Sequence, residues 1–456
     1  MRILLVSEDL PGEQIGGLGK HVVTLGNALL ARGHEVRILG RNDRGNQHES
    51  RSGNHSSNHS SNCSSNCSSG NTREVGTRGG STGGAGHGSA GAGQAARAAH
   101  DAACQIGFHG AFVPGFDYAH PGWKESQLGV FNPLKRPYFA RKIGTAINRH
   151  AADADVVHYH GHLPMVGLHV APGMNYVQTR HDQGSECLTH LRFRDDSPCT
   201  TLAPRDCSAC ICAHAGPLRK SVTAVAVRRY RDQTARAFAM HKTVFVSHFL
   251  QRQFLRAVPH ADLARCRVIP NFVDYPRLAA TVDGTLAPVA GRVVLVGRVD
   301  AGKGFGEFLA AAAGRLPELA QVLVAGDGPQ RPLLEGRHAG PGVRFLGWQD
   351  YAGALGLAAS AHVCVVPSVC EEACSTTVLE ALALGRPCIA LARGGTPELA
   401  AYQQYPGQLQ LAWSMPDLVA RVRRQLATPP ARRARAAAFG ADAAHILPRL
   451  LELYAE

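Results

Sequence analysis

Two short apolar runs, each leading through glycines into a helical pattern, constrain the fold of this chain more than any other feature. The first, Ile3-Leu4-Leu5-Val6, sits in a predicted strand from Met1 to Ser7. It is followed by Gly16-Gly17-Leu18-Gly19 and a predicted helix over Gly19–Arg32, with Val22, Val23, Leu25, Leu29 and Leu30 on or near one face. Gly33 suits a left-handed helix end, and Glu35–Leu39 reads as the next strand. A strand–helix–strand unit this short implies a parallel sheet with right-handed crossovers. The same pattern restarts at Arg292-Val293-Val294-Leu295-Val296. The fold class is therefore α/β, with two halves joined near residue 285.

Between these starts the chain alternates in the same way. Strands are predicted at Asp155–Tyr159, Asn175–Thr179, Lys242–Val246 and Cys266–Ile269, and a helix at Phe249–Val258. Residues 275–290, with their Pro, Gly and Thr, read as a linker. One segment breaks the order. From Asn46 to Gly93 the only large apolar residue is Val75, so the stretch cannot bury enough surface to offset its ordering entropy. We expect a disordered insertion over about 42–104. It contains near-copies running from Asn54 to Ser69, whose His55/His59 and Cys63/Cys67 pairs offer weak metal ligands.

At 456 residues the chain accommodates two ordinary domains. No run of about 18 uncharged apolar residues occurs, so no membrane-spanning helix is expected. The apolar start turns acidic at Glu8-Asp9, too soon for the apolar core of a signal peptide, so a cytoplasmic protein is the expectation. The formal charge of +13 fits either arginine-rich surface helices or attraction to phosphates on nucleotides or an anionic membrane face. Nucleic acid is disfavoured, because basic runs are not interleaved with aromatics and aromatics make up only 6% of residues. Basic residues Arg136, Arg141, Lys142 and Arg149 lie on a predicted helix (Tyr138–Ala152) that reads as a solvated or membrane-facing surface. Cys364, Cys370, Cys374 and Cys388 lie in apolar sequence and read as reduced core residues.

Three turns carry candidate chemistry. Gly16 and Gly17 open a helix, where glycine lets backbone N–H groups approach an anion. Gly297-Arg298-Val299-Asp300-Ala301-Gly302-Lys303 imitates a Walker A loop, but Gly304 stands where the magnesium-binding Ser or Thr belongs. Arg298 and Lys303 still offer two cations beside a helix start. The most specific segment runs from Pro367 to Ala381: Glu372 precedes a predicted helix over Thr376–Leu384 that contains Glu380. A carboxylate accepts two hydroxyls at once, so this pair suits ribose and hexose recognition. A second glycine turn, Gly394-Gly395-Thr396-Pro397-Glu398, follows the strand Cys388–Leu391.

Glu372 with Glu380, the Gly297–Gly304 unit, Gly326-Asp327-Gly328-Pro329 and the N-terminal glycine loop together resemble family 4 of the retaining glycosyltransferases. Val268-Ile269-Pro270-Asn271-Phe272-Val273-Asp274 is similar to the family's inter-domain strand, with Phe272 where glycine is usual. The resemblance implies the GT-B architecture, two Rossmann-like domains facing a cleft. An acceptor domain would occupy 1–285 and a nucleotide-sugar donor domain 286–430, with a C-terminal helix over 431–456 packing back on the first. It implies a donor diphosphate held by Arg298 and Lys303, with Gly16 and Gly17 on its N-terminal side. Glu372 would then bind sugar hydroxyls, Glu380 the ribose, and Ser375, Thr376 and Thr377 the helix-start side of the donor. His181 matches a histidine near the reacting carbon, so His181, Glu372, Arg298 and Lys303 form the expected catalytic set. Cys374-Ser375 replaces the usual Phe-Gly, which leaves sugar identity open. The implied reaction moves a sugar from a UDP-, GDP- or ADP-sugar to a glycan, lipid-linked or small-molecule acceptor, with no cofactor needed for the chemistry. A nucleotide-sugar epimerase and a non-catalytic nucleotide-sugar-binding protein are the alternatives.

A second constellation, Cys187 and Cys199 followed by Cys207-Ser208-Ala209-Cys210-Ile211-Cys212, lies in an insert over 187–214. A C-x2-C with further cysteines has metal-ligand spacing, and Cys199, Cys207, Cys210 and Cys212 are the expected ligands of a structural zinc or iron. His158-Tyr159-His160-Gly161-His162 follows a strand and is read as structural or acceptor-facing rather than metal-binding.

Overall fold

The computed structural model describes residues 1–11, 16–42, 103, 106–117, 135–282, 287–317, 320–430 and 436–456. Nearly all of the proposed 42–104 insertion, with its His and Cys pairs, lies outside them.

The first sheet uses β1 (Arg2–Ser7), β2 (Glu35–Arg41), β3 (Ala111–Phe116), β4 (Val156–His160) and β5 (Tyr176–Arg180). After the small hairpin β6 (Phe193–Arg194) and β7 (Ser197–Pro198), it is completed by β8 (Lys242–Phe245) and β9 (Cys266–Val268). Its seven strands run in the order β3-β2-β1-β4-β5-β8-β9, all parallel. The second sheet contains β10 (Arg292–Val296), β11 (Gln321–Ala325), β12 (Val343–Gly347), β13 (Val363–Val366), β14 (Cys388–Leu391) and β15 (Leu409–Ala412). Its six parallel strands run β12-β11-β10-β13-β14-β15. Helices cover both faces, so the central strands are continuously apolar: every residue of β13 and β14 is buried.

Strand order reverses between β1 and β4 in one sheet and between β10 and β13 in the other. At such reversals the loops leaving the carboxyl ends of neighbouring strands diverge and leave a crevice. Register then fixes what lines it. Ser7 pairs with His160 and His160 with Thr179, which brings the ends of β1, β4 and β5 level.

The helix after β1 spans Gly17–Leu30, beginning two residues before the sequence suggests, and Gly33 closes it at φ 79°. Two expectations are corrected. Residues 275–290 are not wholly a linker: Tyr275–Thr281 is helical, with the Asp274 carboxylate accepting from the Arg277 amide at 3.0 Å. Pro276, read as a linker residue, occupies the first turn, where its missing N–H removes nothing. The last helix is Ala443–Ala455, not the whole stretch from Pro430. Its Ile446, Leu447, Leu450, Leu453 and Tyr454 join the core of the first sheet, each such burial contributing about 1.5–3 kcal/mol. Polar links accompany them. Tyr454 Oη lies 2.6 Å from His158 Nδ1, and Arg449 donates to the Val268 carbonyl at 2.7 Å.

Glu398 ties the halves together at the other end. Its carboxylate accepts from the amides of His248 and Phe249 at 2.8 and 2.7 Å, at the start of the helix His248–Ala257. Among the described residues no helix is long and apolar enough to cross a membrane.

Candidate active site

The loop leaving β10 carries Lys303 and the loop leaving β13 carries Glu372, one on each side of the crevice. Gly304 lets these two loops touch, and Gly394, in the loop leaving β14, packs closely on the second of them. Gly304 sits at φ 68°, where a Cβ would lie 2.1 Å from the Pro367 carbonyl oxygen. Gly394, at φ 59°, would place a Cβ 2.2 Å from the Glu372 carbonyl oxygen, and the Gly395 amide donates to that oxygen at 2.7 Å. Any larger residue at either position pushes the packed loops apart.

Held this way, Lys303 Nζ reaches Glu372 Oε1 at 2.6 Å, and the Ser368 hydroxyl donates to the same oxygen at 2.7 Å. Burial alone would raise the Glu372 carboxyl, but the Lys303 ammonium and the Ser368 hydroxyl outweigh it and hold the group below its ordinary value. Burial works against Lys303 as well, and Glu372 reverses it, so Lys303 is raised and the pair is ionised. Arg298 is not part of this contact. Its side chain is 72% exposed, with its nearest carboxylate, Asp300, at 3.5 Å.

Ser375, buried, is the N-cap of the helix Thr376–Ala383, yet its side chain makes no capping bond. Thr376 and Glu380 on that helix line a cavity of about 340 Å³ between the two sheets. Thr377 follows in the same turn and is partly buried. Opposite stand Lys20 and His21 of the helix Gly17–Leu30. Tyr351 completes the wall, with Lys20 and Arg277 lying 5.7 and 5.6 Å from its ring centre. Glu380 is raised, chiefly by burial, with Lys20 opposing. Gly16 and Gly17 are exposed at the helix start, and a Cβ on either would meet nothing within 4 Å. Their backbone is open to an approaching group.

The crevice of the first sheet is built of histidines. His160 Nδ1 lies 3.0 Å from His181 Nε2, and the His21 ring stands 4.9 Å from that of His181. Burial lowers His21 to about 4 and His158 to about 3, and takes His160 and His181 well below the usual value. These imidazoles are neutral near pH 7. One ring nitrogen of each of His21, His160 and His181 converges within 4.8 Å, a geometry that could hold a divalent ion. The same holds for His162, Asp182 and His190, but these are already satisfied by one another. Asp182 Oδ2 lies 2.7 Å from His162 Nδ1 and 3.2 Å from His190 Nδ1. The histidine run at 158–162 thus does converge in metal-compatible groups, which the sequence reading did not anticipate.

Residues 290–426 match the family model "Glycosyl transferases group 1". That segment is a glycosyl transferases group 1 domain. A stretch of 41 residues is also 56% identical to glycogen synthase of Mycobacterium tuberculosis, covering 9% of this chain and 10% of that enzyme. The match thus spans about a tenth of the curated relative's length. Over whole chains the fold is similar to sucrose-phosphate synthase of Thermosynechococcus elongatus (19% identity, 100% and 98% covered, TM-score 0.59). It is also similar to Anabaena HepE in complex with UDP and glucose (14% identity, 100% and 99% covered, TM-score 0.53). At such identities the likeness is one of fold, and that fold is GT-B.

Within this frame Lys303 and Glu372 meet, and Glu380 and Thr376 share a cavity, all four in the glycosyl transferases group 1 domain. His181 belongs to the facing half. Lys20, His21, Arg277 and Tyr351 were missed by sequence reasoning. Lys20 directly follows the glycine loop and was within reach of that signal, whereas nothing marks His21 or Tyr351.

One surface reading is corrected. Arg136 is fully buried rather than part of a basic face, donating to the Leu188 carbonyl at 2.8 Å and stacking 4.7 Å over the Tyr230 ring. Its helix buries one face, and sequence charge alone does not show which side chains turn inward. Cys212 is separated from the other cysteines. It follows the end of the helix Pro204–Ile211, and its sulfur lies 3.5 Å from Thr223 Oγ1.

Proposed function

We propose that this chain is a retaining glycosyltransferase that moves a sugar from a nucleotide-sugar donor to an acceptor hydroxyl on a glycan, lipid-linked or small-molecule acceptor. The cavity between the sheets carries the reading. It sets Glu380 and Thr376 of the glycosyl transferases group 1 domain against Lys20 and His21 of the other half, a span suited to a nucleoside with its phosphates. HepE, which shares the fold, has been captured with UDP and glucose, so UDP-sugars are the first donors to test.

In this reading residues 1–285 present the acceptor and 286–430 hold the donor. Glu380 accepts ribose hydroxyls, and Glu372, anchored by Lys303, accepts those of the sugar. As the bond from the anomeric carbon to the phosphate oxygen breaks, charge grows on the diphosphate. Lys303, the Gly16–Gly17 backbone and the amides at Ser375–Thr377 face that charge, while exposed Arg298 draws the donor in. Neutral His181 donates a hydrogen bond to the sugar rather than a proton. The acceptor oxygen attacks from the face that the diphosphate leaves, and its proton passes to the departing phosphate. No enzymic nucleophile is needed, unlike in a double-displacement hydrolase. We place the reaction in the cytoplasm, with lipid-linked acceptors reached from an anionic membrane surface; no resident metal takes part in the chemistry.

A thermal-shift screen of UDP-, GDP- and ADP-sugars tests the donor, because a ligand that binds only the folded chain raises its melting temperature by mass action. We expect one nucleotide class to stabilise the wild type and fail with Glu380→Ala. No shift with any donor at millimolar concentration would refute the reading. Binding without transfer to any acceptor would leave a nucleotide-sugar-binding protein.

A further inference from the structure

Four cysteines, Cys187, Cys199, Cys207 and Cys210, line one small cavity of about 30 Å³ in the insert that follows β5. Cys207 and Cys210 are one turn apart on the helix Pro204–Ile211. Cys187 and Cys199 flank the β6–β7 hairpin, whose turn residues Asp195 and Asp196 take φ 51° and 54°. His190 and Arg192, in the same segment, are also left-handed at 64° and 44°. Four non-glycine residues in that region cost roughly 1 kcal/mol or more each and persist only where surrounding contacts enforce them.

Charge in the cavity wall is unbalanced. Arg192 and Arg231 are 2% and 5% exposed. Arg192 donates to the Cys199 carbonyl at 2.9 Å, and Arg231 to the Glu186 carbonyl at 3.0 Å and the Cys207 sulfur at 3.3 Å. Their hydrogen bonds thus go to carbonyls and a sulfur, not to a carboxylate. The wall also holds a third guanidinium, Arg194, and two carboxyls, Glu186 and Asp206; of these Glu186 is buried, while Arg194 and Asp206 are exposed. Buried cations need compensating charge nearby. Four thiolates around a divalent ion carry a net charge of −2, which places negative charge beside the two buried guanidiniums.

We propose that Cys187, Cys199, Cys207 and Cys210 bind one zinc-class divalent ion that fixes the insert. The ligand set replaces Cys212 with Cys187. The cavity is small, and four cysteines around it are the ligand set of a single tetrahedral zinc-class ion. Among the described residues no cysteine belongs to a group of three ligand atoms within 4.8 Å. Ligation therefore draws the sulfurs inward by rotation about their single side-chain bond. The site acts on the cleft at second hand. Gln183, just before the insert, donates to the Glu371 carbonyl at 3.3 Å, next to Glu372. The proposal is independent of the glycosyl-transfer reading.

The test is metal content of the purified full chain, with cobalt exchanged for zinc. We expect about one zinc per chain and, with cobalt, an intense sulfur-to-metal charge-transfer band of tetrahedral thiolate ligation. Cys187→Ser and Cys210→Ser should lose both, while Cys212→Ser keeps both. If a serine variant fails to fold, cobalt titration of the chelated wild type decides alone. Three results would overturn the proposal: wild-type protein that takes up neither metal, disulfides joining these four cysteines, or Cys212→Ser losing the ion while Cys187→Ser retains it. Nucleotide-sugar binding is measured on the same samples, so failure of the donor reading is seen separately.

Discussion

Replacing Lys303 by methionine keeps the length of the side chain and removes the cation that Glu372 faces. At 2.6 Å the gross attraction in a medium of effective dielectric about 20 is roughly 6 kcal/mol, much of it offset by desolvation of both groups. Removing one partner of a buried pair costs about 3–5 kcal/mol. Lys303 is 31% exposed and Glu372 14%, so the lower end, about 3 kcal/mol, applies. That corresponds to a melting-temperature drop of about 6–12 °C if the domain unfolds as a unit of ordinary size. Glu372→Gln should cost less, because the amide oxygen still accepts from Ser368. The double variant Lys303→Met/Glu372→Gln buries no unpaired charge, so it should regain much of the lost stability. Turnover should not recover with it: each single variant and the double should be slower by about two to three orders of magnitude, as when a transition-state donor is removed. Calorimetry and single-turnover transfer assays read the two quantities separately. Additive stability losses, within about 0.5 kcal/mol, would refute the coupling, and near-normal turnover in a folded single variant would refute the catalytic role. The pair is insensitive to pH near neutrality. Lowered Glu372 loses its contribution only as pH falls through its folded value, and raised Lys303 only as pH rises through its own.

Acid should destabilise the first half. Near pH 5 the unfolded chain protonates histidines that the folded chain keeps neutral, His21 at about 4 and His158 at about 3, so stability falls as pH drops below about 6.5. Each contributes about 1.4 kcal/mol per unit of pH across its window, and a urea midpoint unchanged between pH 7 and 5 would contradict this. His162 is raised, burial being outweighed by Asp182 and Asp9, so its contribution is present at low pH and His162→Gln should steepen the acid loss. Glu398→Ala removes the acceptor from two helix-start amides and should lower stability by about 1–2 kcal/mol, with faster amide exchange at His248 and Phe249 as the readout. Arg298→Ala should raise the donor KM severalfold with little change in kcat, and the effect should shrink at high salt.

The strands were legible because a parallel sheet covered on both faces needs unbroken apolar runs, and those at Ile3–Val6 and Val293–Val296 are unmistakable. Helix boundaries were less so. Pro276 marks a linker and a first helical turn equally well, and only the Asp274 carboxylate's bond to the Arg277 amide decides between them. Glu372 and Lys303 were visible as residues but not as partners, because their contact depends on Gly304 letting two loops approach, a long-range event. The same limit explains Cys212, which is near Cys210 in sequence but sits past the helix end, facing Thr223. It also explains Arg136, whose charge suggested a surface that tertiary packing overrode. His21 escaped notice because one histidine on a helix carries no pattern. It acquires meaning only when β4 and β5 bring His160 and His181 beside it.

These contacts divide the labour among the cations. In the cleft without donor, the charge of Lys303 is already matched by Glu372, so from a distance the pair attracts an incoming diphosphate only weakly. Arg298 is largely exposed and pairs with Asp300 only at 3.5 Å, so more of its field reaches solvent than that of Lys303. It should therefore govern encounter and ground-state binding, where long-range attraction counts. Lys303 should matter when charge builds on the leaving oxygen at short range, where a fixed dipole that needs no reorganisation is most effective. In the proposed reading Glu372 does two things at once: it holds the ammonium in place and presents its second oxygen to the sugar. Glu380, raised by burial with Lys20 opposing, is the proposed ribose acceptor. Two carboxyls on one loop-to-helix junction are thus pushed in opposite directions, and under that proposal the separation assigns one to the sugar and the other to the nucleoside.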